Sequence, residues 1–339
     1  MITNALLGAA LVLALGIAIL ASRHMSRGLT ELGTHYGWRP GVIGWLTALG
    51  ADTPEISSAL AAVVAGQGAV GVGVILGANL FGLAAILSLP LLWMGGRALR
   101  LDGIDLDVAA NLAALAVTAA ILTRVVPAPV GFALLLLVVT TYLVMLWRLP
   151  HGWPRHRRGR RLLALDPEIE REEAIDQRLV GATTGSPPPV RRIGAGLLAA
   201  VVVVVVASDG AVRAALALAD RLHLPAVVVG TFVLAIGTSL PNVAAGFTLL
   251  QRGHRSALVS ETFNSGTLNL VFGLGLPAAV AGVATGATIT ALDVPWLAAS
   301  TVVVVALLAS PRGLRRPGAA LLVAGYLGYV VVRLAVSGP

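Results

Sequence analysis

The sequence predicts an all-α transmembrane protein of ten helices, arranged as two inverted five-helix repeats with helices 2 and 7 broken at the centre. Three observations predict it. Of 339 residues, 57% are hydrophobic and 12% charged, with a mean hydropathy of +0.88; a water-soluble protein of this size has no way to hide that much apolar surface. The apolar residues gather into ten runs, each near the roughly 20 residues that a bilayer crossing requires. The basic residues, all arginine, fall mainly in alternate connections between those runs. Disorder and collagen are excluded by the same composition. The absence of cysteine excludes a disulfide framework, a thiolate metal site and a cysteine nucleophile.

The runs cover approximately 3–22, 41–65, 69–94, 106–124, 128–147, 194–218, 225–250, 256–281, 288–309 and 318–337. The first has no basic stretch before it and Arg23 after it, so it reads as a retained membrane helix rather than a cleavable leader. Runs 2, 3, 7 and 8 are long and interrupted by Gly and Pro. Run 6 contains the Val-rich stretch Val201–Val206, but its length favours a helix over a strand.

Arg23, Arg27 and Arg39 follow run 1, Arg97 and Arg100 follow run 3, and Arg148 through Arg192 follow run 5. Arg252 and Arg255 follow run 7, and Arg312, Arg315 and Arg316 follow run 9. The other connections are nearly bare: Arg124 borders one, and Arg221 sits in one beside Asp220. Arg213 and Arg333 fall inside runs 6 and 10 and depart from the pattern. Alternation of this kind predicts a multi-pass protein of the plasma membrane, with both termini outside and five cytoplasmic connections. The net charge of +8 then marks topology, not a nucleic-acid partner; the expected partners are membrane lipid and small cations.

Three units follow: a first half at 1–148, a connection at 149–192 and a second half at 193–339. The connection has a basic part (His151–Arg161), an acidic part (Asp166–Asp176) and a Gly/Pro part (Gly185–Pro189). It reads as a cytoplasmic tether, or as a regulatory loop whose basic cluster faces anionic headgroups.

Sliding the chain by 187 residues lays Gly50, Pro54, Leu83, Leu87, Leu89 and Pro90 on Gly237, Pro241, Leu270, Leu274, Leu276 and Pro277. One residue less lays Asp107–Val108 on Asp293–Val294. Two homologous halves of five spans each must enter the membrane in opposite senses, the design of secondary transporters that bind substrate near the midplane.

Polar residues inside spans are functional candidates, because burying them in a bilayer is costly. Span 2 carries Gly50-Ala51-Asp52-Thr53-Pro54-Glu55, and span 7 carries Gly237-Thr238-Ser239-Leu240-Pro241-Asn242. Each Pro removes a donor and each Gly loosens the preceding turn, so the helix is expected to break and to free carbonyl oxygens. Carbonyls, hydroxyls and carboxylates make an oxygen shell suited to Na⁺ or Ca²⁺. All six His are expected in connections, which argues against a soft-metal site. Span 3 has Gly77-Ala78-Asn79-Leu80-Phe81-Gly82; span 8 has Asn264-Ser265-Gly266-Thr267-Leu268-Asn269, in which Ser265 and Asn269 share a helix face.

These segments resemble the two alpha-repeats of the calcium/cation antiporter superfamily, with sodium/calcium exchangers as the best fit; the repeats lie at about 41–94 and 225–281. The resemblance implies an integral membrane antiporter that moves Na⁺ and Ca²⁺ in opposite directions, with no enzyme activity and no cofactor. It implies an ion shell of Asp52, Glu55, Asn242 and Asn269, with Thr238, Ser239 and Ser265. The chain departs from the family pattern: Asn242 stands where a second Glu is usual, Ala51-Asp52 replaces Thr-Ser, and Gly82 replaces an Asn or Asp. Both site carboxylates therefore come from the first half, which keeps proton-coupled or monovalent-cation antiport open as an alternative. Glu261, one turn before Ser265, is expected either to line the inner ion entrance or to pair with Arg252 or Arg255. Asp209 in span 6 resembles a family Asp and is expected to support packing of the moving helices.

Overall fold

A computed structural model describes residues 2–38, 40–96, 98–101, 104–148, 189–282 and 286–337. Those residues form ten helical rods and no sheet. They are α1 (Ile2–His35), α2 (Pro40–Val64), α3 (Gly68–Met94), α4 (Asp105–Leu122), α5 (Ala128–Arg148) and α6 (Val190–Arg221). The rod α7 joins Ala226–Val228, a wider π-helical turn at Val229–Leu234, and Ala235–Gln251. In α8 the order is Arg255–Leu268, a π segment at Asn269–Gly275, and Leu276–Ala281. A π segment at Ile289–Asp293 opens α9, which continues as Val294–Ala309, and α10 spans Arg316–Ser337. Of the regulatory or tethering connection expected at 149–192, residues 149–188 lie outside the described residues, and Val190, Arg191 and Arg192 already belong to α6.

Eight of the rods are long and apolar enough to cross a membrane by length and composition. The other two, α2 and α8, are diluted by polar residues, including Asp52, Glu55, Glu261 and Asn269. Helix α1 runs well past its apolar stretch, so the expected connection after residue 22 is itself largely helical, and His24 and His35 sit on a helix rather than in a loop.

The expected break in helices 2 and 7 does not appear. The backbone stays helical through Pro54 and through Pro241. A proline ring crowds the carbonyl four residues back and leaves it without its usual donor. In both helices that residue is the glycine, Gly50 or Gly237, which lets the peptide tilt. The nearby threonine hydroxyls bond one turn back on their own helices, to carbonyls other than those two: Thr53 Oγ1 donates to Leu49 O at 2.8 Å, and Thr238 Oγ1 to Leu234 O at 2.9 Å. Irregularity is found instead in the π segments, all in the second half among the described residues.

Helices α1 and α6 pack lengthwise on each other and both lie against α2. Helix α3, almost wholly buried, crosses α7 so closely that a Cβ at Gly77 would strike the Thr231 carbonyl. Small residues permit this backbone approach where water supplies no hydrophobic drive between helices.

Arg-bearing connections meet on one face. Leu99 and Leu314, from the connections after α3 and α9, exchange backbone hydrogen bonds at 2.9 and 2.8 Å. Arg100 Nη2 also donates to Pro311 O at 2.9 Å. Arg213 loses its anomaly here: its Nε pairs at 2.7 Å with Asp209 one turn earlier on an exposed side of α6. Asp209 is thus an ion-pair partner on the helix surface, not a packing residue.

Candidate functional site

Asp52 and Glu55 lie three residues apart on α2, hence on one face. They are 0% and 1% exposed. Thr238, Ser239 and Asn242 of α7, and Ser265 and Asn269 of α8, are buried around them. Every hydrogen bond to the two acids comes from the second half. Asn242 Nδ2 and Ser265 Oγ each donate to Asp52 Oδ1 at 2.8 Å. Ser239 Oγ donates to Glu55 Oε1, and Asn269 Nδ2 to Glu55 Oε2. Each carboxylate thus receives one hydroxyl and one amide. Asn242 also reaches Ser265 Oγ at 3.4 Å, closing the ring across α7 and α8.

Six of the seven expected shell residues are therefore brought together by direct bonds. Thr238 is buried beside them, but its hydroxyl is turned back onto Leu234 O and Ala235 O of its own helix. Glu261 is half-buried on α8, one turn before Ser265. Gly50, Pro54, Gly237 and Pro241 shape the two helices without breaking them.

Two acceptor oxygens remain buried without a donor: Asp52 Oδ2 and Asn269 Oδ1. Neutral donors hold the acids in place, and hydroxyls and amides can turn an oxygen inwards when a cation arrives. The arrangement suits a hard, oxygen-seeking ion. Among the described residues no group of three or more His, Asp or Glu stands ready to hold a metal, so most of any cation shell must come from neutral oxygens.

A second polar cluster escaped the sequence reading. Asp107 of α4, 2% exposed, accepts from Tyr142 of α5 at 2.6 Å and from Ser260 of α8 at 2.7 Å. Asn264 Nδ2 donates to Ser260 Oγ at 3.2 Å. Its repeat mate Asp293 accepts from Tyr329 at 3.0 Å and forms an ion pair with Arg333 at 3.0 Å, both 5% exposed or less at the side chain. The shared offset of Asp107 and Asp293 was the signal in the sequence; the tyrosines and Arg333 supply its meaning.

A family model described as sodium/calcium exchanger protein matches residues 6–149 and 193–335, most of the chain. The chain belongs to that family. It is accordingly a multi-pass membrane transporter of the exchanger type, not an enzyme, and its ten helices form two inverted five-helix repeats. Several solved structures share the fold of this exchanger-family chain. One, a crystal structure of the H⁺/Ca²⁺ exchanger CAX, is 11% identical with a TM-score of 0.71, covering 98% of this chain and 86% of that one. The structure of native YfkE is 13% identical with a TM-score of 0.64, covering 96% and 91%. The sodium-calcium exchanger NCX_Mj, in a form soaked with Na⁺ and Sr²⁺, is 15% identical with a TM-score of 0.59, covering 97% and 99%. No curated protein matches the sequence.

Proposed function

We propose that the chain is a secondary antiporter that exchanges Na⁺ for Ca²⁺ across the plasma membrane by alternating access. The ions bind at Asp52, Glu55, Thr238, Ser239, Asn242, Ser265 and Asn269. One observation carries the reading: two fully buried carboxylates from one half are bonded only to neutral hydroxyl and amide groups of the other. Two unneutralised charges at that depth are costly unless an ion balances them. One Ca²⁺ or two monovalent cations do so, and the pair alternates between these loads.

Ca²⁺ takes six to eight oxygens. Asp52 Oδ2 and Asn269 Oδ1 offer acceptors at once, and rotation of Asn242, Ser239 and Ser265 turns further lone pairs inwards. Because these residues lie on α2, α7 and α8, ion binding draws the two halves together at one point. Helices α1 and α6, packed as a pair along α2, are the unit that slides past the site to expose it to either side. In this reading both termini lie outside, the Arg-bearing connections are cytoplasmic, and the halves 1–148 and 193–339 are joined by a tether at 149–192. Glu261 then lines the inner ion entrance.

Proton coupling is the second reading, and one observation favours it. Asp52 and Glu55 are buried three residues apart on one face of α2, where two negative charges repel. A proton on either carboxylate relieves that repulsion without any oxygen shell.

Reconstituted proteoliposomes decide between them. Vesicles loaded with Na⁺ are expected to accumulate radiolabelled Ca²⁺ when diluted into Na⁺-free buffer. Uptake driven equally well by a pH gradient without Na⁺ would replace Na⁺ by H⁺ as the counter-ion, and flux that neither saturates nor needs a counter-ion would end the antiport reading.

A further inference from the structure

Helix α8 supplies two of the four donors to the buried acids, so its rotation decides where they point. Ser265 and Asn269 lie four residues apart and share the face turned to α2. Ser260, Asn264 and Thr267 share a neighbouring face, about 100° round the helix. That second face is held by α4. Asp107 accepts from Ser260 at 2.7 Å, and Asn264 closes on Ser260 at 3.2 Å. One turn further along α4, Asn111 Nδ2 donates to the Phe263 carbonyl at 3.1 Å and reaches Thr267 Oγ1 at 3.4 Å. Asn111 is buried, and it gains the backbone of α8 because Gly266 has no side chain: a Cβ there would stand 2.7 Å from Asn111 Nδ2. Its bonds bracket Ser265.

The repeat mate of this contact is apolar. Gly73, Leu76, Gly77 and Leu80 of α3 stand where α8 has Ser260, Phe263, Asn264 and Thr267, and Leu297 of α9 stands where α4 has Asn111. The mates of Ser265 and Asn269 on α3 are Ala78 and Gly82, which offer no side-chain donor. The polar hold is thus present where the held helix carries site residues and missing where it does not. Leucine and glycine suffice for packing at the mate position, so helix contact alone does not call for Asn111. Past Thr267 the helix widens into the π segment Asn269–Gly275, so the hold acts on Ser265 rather than on Asn269. Ser265 Oγ lies 2.8 Å from Asp52 Oδ1, and a hydrogen bond weakens steeply when its donor is turned out of line.

We propose that Asn111 is a positioning residue for the ion site: it fixes the rotation of α8, aims Ser265 at Asp52 and so sets the affinity for Ca²⁺. The proposal rests on the site reading above and deepens it. Asn111 acts through Ser265 and touches no ion itself.

Equilibrium binding of ⁴⁵Ca²⁺ to the purified full-length protein, arranged as a double-mutant cycle, tests this. Asn111→Leu, which installs the residue of the second half, is expected to weaken Ca²⁺ binding about fivefold, the loss of one well-aimed neutral ligand. Gly266→Ala, which displaces Asn111 without removing it, is expected to weaken it by a similar factor. In a Ser265→Ala background, Asn111→Leu is expected to change the affinity by less than about twofold, because the group it aims is gone. In a Ser239→Ala background, altered on α7 instead, the full loss is expected. Equal losses in the two backgrounds would mean a general loosening of the bundle and overturn the positioning role, as would unchanged affinity in both Asn111→Leu and Gly266→Ala. Wild-type affinity in Ser265→Ala and in Ser239→Ala would remove these hydroxyls from the site, ending the site reading itself and this inference with it.

Discussion

In the first half of the chain the buried centre carries acids; in the second half it carries neutral donors. Asp52 and Glu55 of α2 have Ser239 and Asn242 as their counterparts on α7. The same division recurs away from the centre, with the signs altered. Asp107 and Asp293 are repeat mates, each bonded to a tyrosine that is its own repeat mate, Tyr142 and Tyr329. Only Asp293 has an arginine, because Leu146 stands where the second half has Arg333. The repeat fixes where polar side chains point; it does not fix their charge. Duplicated architecture thus leaves each copy free to take one role, carboxylates in one and hydrogen-bond donors in the other.

Four substitutions break or sharpen that contrast. The largest effect is expected from Glu55→Gln. It removes one of two carboxylates, and flux in proteoliposomes is expected to fall by two orders of magnitude or about that. Near-normal Ca²⁺ uptake by this variant would show that the acids of the first half are not the site.

Next in size is the stability contrast between the two Asp–Tyr pairs. Arg333→Leu leaves Asp293 buried with no cation, a loss of about 3–5 kcal/mol for a broken buried pair. Asp107→Asn keeps one acceptor oxygen, for Tyr142, while its amide nitrogen donates to a Ser260 hydroxyl that must turn; it is expected to cost about 1 kcal/mol. Thermal unfolding in detergent compares them directly. Equal losses would mean that the arginine does not distinguish the halves energetically.

The smallest change is expected from Asn242→Glu, which gives the second half its own acid. Without Ca²⁺ the new carboxylate faces Asp52 and lowers stability. With Ca²⁺ the added charge is expected to tighten binding about tenfold, near 1.4 kcal/mol. The readout is the midpoint of Ca²⁺-induced thermal stabilisation. A midpoint that does not move would argue that the site handles monovalent ions or protons.

Much of the site was legible in the chain because polar residues are rare in apolar runs, so Asp52, Glu55, Ser265 and Asn269 stood out. The two-half organisation was legible because a constant offset survives in the glycines and prolines that shape helices. The course of the backbone at Pro54 and Pro241 was not. Local rules predict a break there, and whether the helix carries through depends on the helices packed against it. Nor did periodicity reveal the π segments at Val229–Leu234, Asn269–Gly275 and Ile289–Asp293, which insert irregularity without any residue type that announces it.

By itself the sequence determined the class, the number of crossings, the sidedness pattern of arginine and the residues available for an ion. These follow from burial cost and side-chain type, which are properties of each segment alone. Tertiary structure alone decided the pairings. That Asn242 and Ser265 share Asp52, that Ser239 and Asn269 share Glu55, and that Arg333 pairs with Asp293 all depend on separate helices meeting at hydrogen-bonding distance. Hydrogen bonds and ion pairs act over a few ångströms, so only the packed bundle determines which of the available groups meet.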